Sequence, residues 1–195
     1  QTAIAVDVAD AGSCRKAVDR AAEVMGGLDV VVNNAGIVAP TRIGELSAAE
    51  FSRMLEVNLV GTFNVTQAAL PYLKQSRQAA IVNIGSIAAQ RGGGLLGGSH
   101  YAASKGGVIS FTKATAREMG PFGIRANAVA PGIIDTGMTA GKYEPDRRRA
   151  VIETIPLGRF GTALDVARVN LFLASPLAGY LTGTLIDVNG GFHIH

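Results

Sequence analysis

The sequence predicts an α/β protein, a single domain over residues 1–195 in which a doubly wound parallel sheet lies between layers of helices. Three observations lead there. Short apolar runs without polar alternation, Leu28 to Val32, Ala79 to Gly85 and Ile124 to Ala130, have the character of strands covered on both faces. Between them lie segments of helical periodicity long enough to serve as crossovers. Small or turn-forming residues follow each run, at Asn33–Gly36, Ser86 and Pro131–Gly132, and the carboxyl ends of such strands are where open α/β sheets bind ligands.

Composition narrows the class. With 195 residues, 48% of them hydrophobic and 17% charged, the chain can bury a large core, which excludes a disordered protein. No run approaches the roughly 18 apolar residues of a membrane span, and the opening residues do not read as a leader, so the expected compartment is the cytosol. The only cysteine, Cys14, excludes an internal disulfide framework. Three histidines, His100, His193 and His195, lack metal-ligand spacing, so no metal is expected. The net charge of +3 contains one dense basic run, Arg147 to Arg149. Without interleaved aromatic residues that run reads as a solvated helix face or the rim of a site for an anionic substrate, not as a nucleic-acid surface.

Taken in order, Thr2 to Val8 is a β-branched run that predicts a first strand. Ser13 to Met25 is an amphipathic helix closed by Gly26 and Gly27. The strand at Leu28 to Val32 follows, and its turn at Asn33–Gly36 uses residues that let a backbone approach a ligand or simply fold tightly. Ser47 and Glu50 have the spacing of a capping box, which starts a helix through Leu55. The helical pattern continues past Asn58 to Leu73, placing an asparagine inside a helical region, where it can compete with the backbone ladder.

Ser86 ends the strand at Ala79 to Gly85, but Gly85-Ser86-Ile87 lacks the elbow of a serine hydrolase. Arg91 to Gly98 is glycine-rich without the order of a phosphate loop and reads as a flexible loop. A long helix opens at Tyr101 and ends at Gly120-Pro121. Gly137 to Arg159 reads as a mobile lid with a short helix at Pro145 to Thr154. A helix at Ala163 to Ala174 and a strand at Leu185 to Val188 complete the pattern.

Tyr101 and Lys105 carry the chemistry. Four apart on a helix, they share a face, so a phenol and an ammonium converge. A neighbouring cation favours phenolate and should lower the phenol's pKa, tuning it to exchange protons with a carbonyl or an alcohol.

The set Asn33-Asn34-Ala35-Gly36, Asn58, Ser86, Tyr101 to Lys105, Pro131-Gly132 and the closing Val188-Asn189-Gly190-Gly191 resembles the short-chain dehydrogenase/reductase family over essentially the whole chain. The resemblance implies a Rossmann-like fold and an NAD(P)-dependent oxidoreductase. It also implies roles: Tyr101 as acid/base, Lys105 as its partner and a ligand of the nicotinamide ribose, Ser86 as anchor of the substrate oxygen. Asn58 would break its helix, its carbonyl holding a water that leads to Lys105. Asp7 and Val8 would lie against the adenine, and Asn34, Ala35 and Gly36 would line the cofactor cleft. Pro131 and Gly132 would close the strand beside the nicotinamide, which Ile134 and Thr136 would bond. The helix after Asn58 and the Tyr101 helix would build a homotetramer.

The family's glycine-rich phosphate turn and the residue that reads the ribose 2′ position are not found in these residues, so NADP or NAD is left open, with NADP favoured. The resemblance therefore implies that the first two strands and their helices are absent, and roughly fifty residues are expected before Gln1. Pro131 to Thr139 and Ile155 to Arg159 look most like 3-oxoacyl-[acyl-carrier-protein] reductases. The implied substrate is a small-molecule or carrier-bound acyl carbonyl, with a sugar, polyol or other small secondary alcohol as the alternative, a dinucleotide-binding protein without catalysis as the other reading, and neither nucleic acid nor membrane as partner.

Overall fold

The computed structural model describes residues 1–94 and 96–194; Leu95, within the glycine-rich run, and His195 lie outside the described residues. Four strands, β1 (Val30–Asn33), β2 (Ala80–Ile84), β3 (Arg125–Pro131) and β6 (Leu185–Val188), form one sheet in the order β1-β2-β3-β6, every pair parallel. A second, two-stranded ladder joins β4 (Ile134–Asp135) to β5 (Gly161–Thr162). The fold is Rossmann-like, a parallel sheet flanked by helices.

Strand residues alternate between two apolar layers, as the pleat requires. Val31, Ile81 and Ala126 join Ala22 of α1 (Ala11–Met25), Ala69 and Leu73 of α3 (Gly61–Leu73) and Ala116 of α5 (Ser99–Met119). Val82, Val129 and Ile186 pack with Leu173 of α7 (Ala163–Ala174) on the opposite face. A third cluster, Val151, Ile155 and Phe160, sits beneath α6 (Pro145–Glu153). The predicted helix bounds at Ala163 to Ala174 coincide with those observed, and α6 ends within a residue of its expected limit. No helix among the described residues is long and apolar enough to cross a membrane.

One predicted element fails. Thr2 to Val8 forms no strand, although its β-branched pattern fits one. A strand requires a neighbour to complete its hydrogen-bond ladder, and among the described residues this segment has none. The chain instead turns at Asp7, whose carboxylate and carbonyl accept the backbone N–H groups of Ala9 and Asp10. Asp10 then caps α1, accepting from Gly12 and Ser13 at 2.6 and 3.0 Å.

The region around Asn58 follows the sequence closely. Ser47 and Glu50 form the capping box of α2 (Ala48–Leu55). The helix then widens into a π-helical turn, Glu56–Val60, before α3 resumes. Gly61 opens α3 because a β-carbon there would come within 2.7 Å of Val8 Cγ2.

Candidate active site

The site is built at the carboxyl ends of β1, β2 and β3, where the loops leaving three strands meet the first turns of α5. Its floor starts with Asn58, fully buried in the π-helical turn. A π-turn displaces the backbone ladder and aims this side chain inward. Asn58 Oδ1 accepts the Ile37 N–H at 2.8 Å, and Nδ2 donates to the Ile37 carbonyl at 3.0 Å and to the Ser104 hydroxyl at 3.0 Å. Ser104 Oγ in turn donates to the Tyr101 carbonyl at 2.8 Å. One amide thus ties the loop after β1 to the turn of α5 that carries Tyr101. The Asn58 carbonyl, implied to hold a water, accepts the Thr62 hydroxyl at 2.8 Å.

Lys105 is buried, and its Nζ donates to the Ile84 carbonyl at the end of β2 at 2.7 Å. Burial pulls its pKa down to about 8, because a desolvated ammonium loses water's stabilisation. Gly36 provides the space in front of it. A β-carbon at Gly36 would lie 3.1 Å from Asn58 Oδ1 and 3.5 Å from Lys105 Nζ, so glycine, asparagine and lysine surround one small concavity.

Tyr101 departs from expectation. Its phenol pKa is raised, chiefly because burial disfavours phenolate, with the nearby Ser86 hydroxyl acting weakly in the opposite sense. The lowering expected from Lys105 is not found: the ammonium is turned onto the Ile84 carbonyl and does not offset the desolvation. The phenol is therefore protonated at neutral pH. Ser86 is buried at the end of β2, its hydroxyl accepting the Ala88 N–H at 3.1 Å.

Ser86 and Tyr101 open into a cavity of about 580 Å³, a size suited to a small organic ligand. Its lining is mostly apolar, including Ile87, Ile133 and Met138, with Tyr143 and Val151 from the lid and Phe192 from the segment after β6. The lid is fastened from outside. Arg148 makes two hydrogen bonds to Asp135 at 2.9 and 2.6 Å and lies over the Phe160 ring at 4.2 Å, holding the Asp135 carboxyl below its ordinary pKa. Tyr143 meets the same ring edge-on at 5.5 Å.

The other expected positions divide. Gly132 lines the cavity and leaves room for Asn189, whose Cβ would be 2.7 Å from a β-carbon there, and the Pro131 carbonyl accepts the Ile87 N–H at 3.2 Å. Asn34 and Ala35 are exposed after β1; the buried amide is Asn33, which donates to Thr66 at 3.0 Å and Asn83 at 2.7 Å. Ile133 and Thr139 line the cavity in preference to Ile134 and Thr136, whose backbone groups bond the Thr139 hydroxyl. Asp7 and Val8 lie at α1 and not in the cavity lining, with the Val8 carbonyl held by Asn64 at 3.0 Å.

Sequence reasoning left Ser104 and Gly97 without a role. Ser104 shares the Tyr101 face of α5 by its i+3 spacing, which was a readable signal. A β-carbon at Gly97 would collide with the Tyr101 ring, a contact that only the folded loop reveals.

A model of the family described as enoyl-(acyl carrier protein) reductase matches residues 1–193. The uncharacterized short-chain type dehydrogenase/reductase y4mP of Sinorhizobium fredii is 45% identical over 189 residues, 97% of this chain and 75% of that protein. The chain belongs to the short-chain dehydrogenase/reductase family. Members of that family are oxidoreductases, and this chain is one of them. Another member, the 3-oxoacyl-[acyl-carrier-protein] reductase FabG of Thermotoga maritima, is 41% identical over 97% of this chain and 76% of its own length. The crystal structure of a family protein from Brucella melitensis, titled glucose/ribitol dehydrogenase, matches with a TM-score of 0.92 at 37% identity, covering 100% of this chain and 77% of that one.

The family binds a nicotinamide dinucleotide, and the concavity at Gly36 and Lys105 fits its nicotinamide-ribose end: a β-carbon would fill it, and a lysine amine faces it. The N-terminus of α1 fits a pyrophosphate poorly, since the Asp10 carboxylate already occupies its free N–H groups.

Proposed function

We propose that the chain is an NAD(P)H-dependent carbonyl reductase whose substrate is a 3-oxoacyl group carried on an acyl carrier protein. The observation that carries this reading is the juxtaposition of Ser86 and Tyr101 in one apolar cavity, with Asn58 and Lys105 buried behind them. The cofactor supplies hydride when bound, and Lys105, Gly36 and Gly132 would hold its nicotinamide end. Ser86 holds the substrate oxygen, and Tyr101 gives it a proton. Burial keeps the phenol in the protonated form that a donor needs, and it disfavours the phenolate left behind, so donation requires that charge to be offset when cofactor and substrate are bound. Lys105, an ammonium below about pH 8, lies one helical turn away on the same face and ties α5 to the Ile84 carbonyl. Asn58 and Ser104 fix the turn that carries the phenol.

The likeness to the Thermotoga maritima reductase supports the acyl substrate, and the likeness to the Brucella melitensis protein supports a sugar or polyol as the second reading. NADPH is the favoured form of the cofactor. A homotetramer built on α3 and α5 belongs to the same reading, and the 41% exposure of the apolar Phe63 on α3 is in keeping with it. The test is NADPH and NADH oxidation with an acetoacetyl thioester, beside oxidation of ribitol. The thioester should turn over, and Tyr101→Phe should reduce the rate by about 100-fold or more while leaving cofactor affinity unchanged. Turnover confined to ribitol would replace the acyl reading by the polyol one, and an unaffected Tyr101→Phe protein would remove the phenol from the mechanism.

A further inference from the structure

The cavity above Ser86 and Tyr101 carries an electrostatic asymmetry that carbonyl reduction does not use. Two arginines, Arg91 and Arg147, belong to its lining, and the described lining contains no aspartate or glutamate. In the same lid segment Arg148 is paired with Asp135 at 2.6 Å and Arg159 with Asp165 at 2.8 Å, while Arg149, like Arg147, is in no ion pair among the described residues. Among the described residues neither Arg91 nor Arg147 is in an ion pair. Arg91 is held without a carboxylate, donating to the Phe192 carbonyl at 3.2 Å and stacking on the Phe192 ring at 4.2 Å. That contact uses one N–H of a guanidinium that has five.

An apolar cavity with hydrogen-bonding groups at one place and uncompensated positive charge at another selects its ligand by both. A neutral polyol would leave the two exposed guanidinium groups to water and set hydroxyl groups against apolar walls. An anion on an apolar carbon chain would satisfy both, since carboxylate and phosphate take charge-assisted, paired hydrogen bonds from arginine.

We propose that Arg147, together with Arg91, forms an anion subsite of this cavity, so that the substrate is a carbonyl compound bearing a carboxylate or phosphate remote from the reacting carbon. This rests on the reading that Ser86 and Tyr101 receive the carbonyl oxygen. A free oxo acid presents the carboxylate, and a phosphopantetheine thioester presents the phosphate.

Isothermal titration of the full chain with 4-oxopentanoate, its methyl ester and 4-oxopentanoyl-phosphopantetheine tests the subsite. At least one anion should bind about tenfold or more tightly than the ester. Preference for the carboxylate identifies a free oxo acid, and preference for the phosphate identifies a carrier arm. Arg147→Glu and Arg147→Gln should remove the preference and spare the ester. Arg149→Glu makes the charge change of Arg147→Glu on α6, outside the cavity lining, and should leave the preference intact. Equal binding of anions and ester, binding of none of the three, or equal losses in Arg147→Glu and Arg149→Glu would overturn the subsite. The catalytic reading fails separately: an anion preference that survives in a Tyr101→Phe protein with unaltered turnover refutes that reading and leaves the subsite standing.

Discussion

The floor of the site and the lid above it hold their polar groups in opposite ways. On the floor, Asn58, Ser104 and Lys105 are buried and bonded to backbone or to one another, out of reach of bulk water. On the lid, Arg148 and Asp135 are about half exposed, paired with each other across water-accessible surface. A buried polar group left without its partner costs its desolvation, whereas an exposed one falls back on water. Substitutions on the floor should therefore move stability further, in either direction, than substitutions on the lid.

The largest effect belongs to Lys105. Its folded pKa of about 8 lies below the ordinary 10.5, so between those values the unfolded chain binds more protons than the folded one. Stability then rises with pH across this window, and below about pH 8 the buried ammonium costs the fold about 3 kcal/mol. Lys105→Met should accordingly be more stable than the wild type at pH 7 by up to that amount, less the bond to Ile84, with the difference shrinking toward pH 10. Urea unfolding at the two pH values measures this. A difference independent of pH would show that the amine is hydrated in the folded protein.

Next comes the Asn58–Ser104 link. Asn58→Ala removes the side-chain partner of both Ile37 backbone groups and one of the two bonds of the Ser104 hydroxyl and should cost about 2 to 3 kcal/mol, and Ser104→Ala about 1 kcal/mol. Because they share a hydrogen bond, the double variant should lose less than the sum. Strict additivity in denaturant unfolding would mean that the two act independently on the Tyr101 turn.

The contrast also explains what the sequence made readable. Tyr101, Lys105, Ser86 and Asn58 could be placed because each is tied to a local feature, a helical spacing, a strand end or a helix interruption, and the fold brings all four to one end of the sheet. The direction of the Tyr101 shift was not readable, since it depends on how many neighbours exclude water, a property of the assembled core. Thr2 to Val8 failed for a related reason: a strand is a relation between segments, and β-branched residues supply only one side of it. Ile133 and Thr139 were not singled out because only the folded segment around the β4–β5 pair brings them to the cavity wall. The unpaired state of Arg147 emerged only once Asp135 and Asp165 were seen committed to other arginines.

The smallest effect is expected on the lid, and it sharpens the contrast most. Asp135→Asn removes the ion pair and leaves Arg148 stacked on Phe160, so at pH 7 it should lower Tm by no more than about 2 °C. Since Arg148 holds the Asp135 pKa below the ordinary 3.8, the pair stabilises the fold above that value and loses its effect as pH falls through the lowered one. Wild type and Asp135→Asn should therefore converge in acid. Arg148→Ala, which also removes the stacking, should cost more than Asp135→Asn at every pH. If instead Asp135→Asn alone destabilised the chain as strongly as Asn58→Ala, the lid would be as firmly built as the floor, and exposure would no longer separate the two.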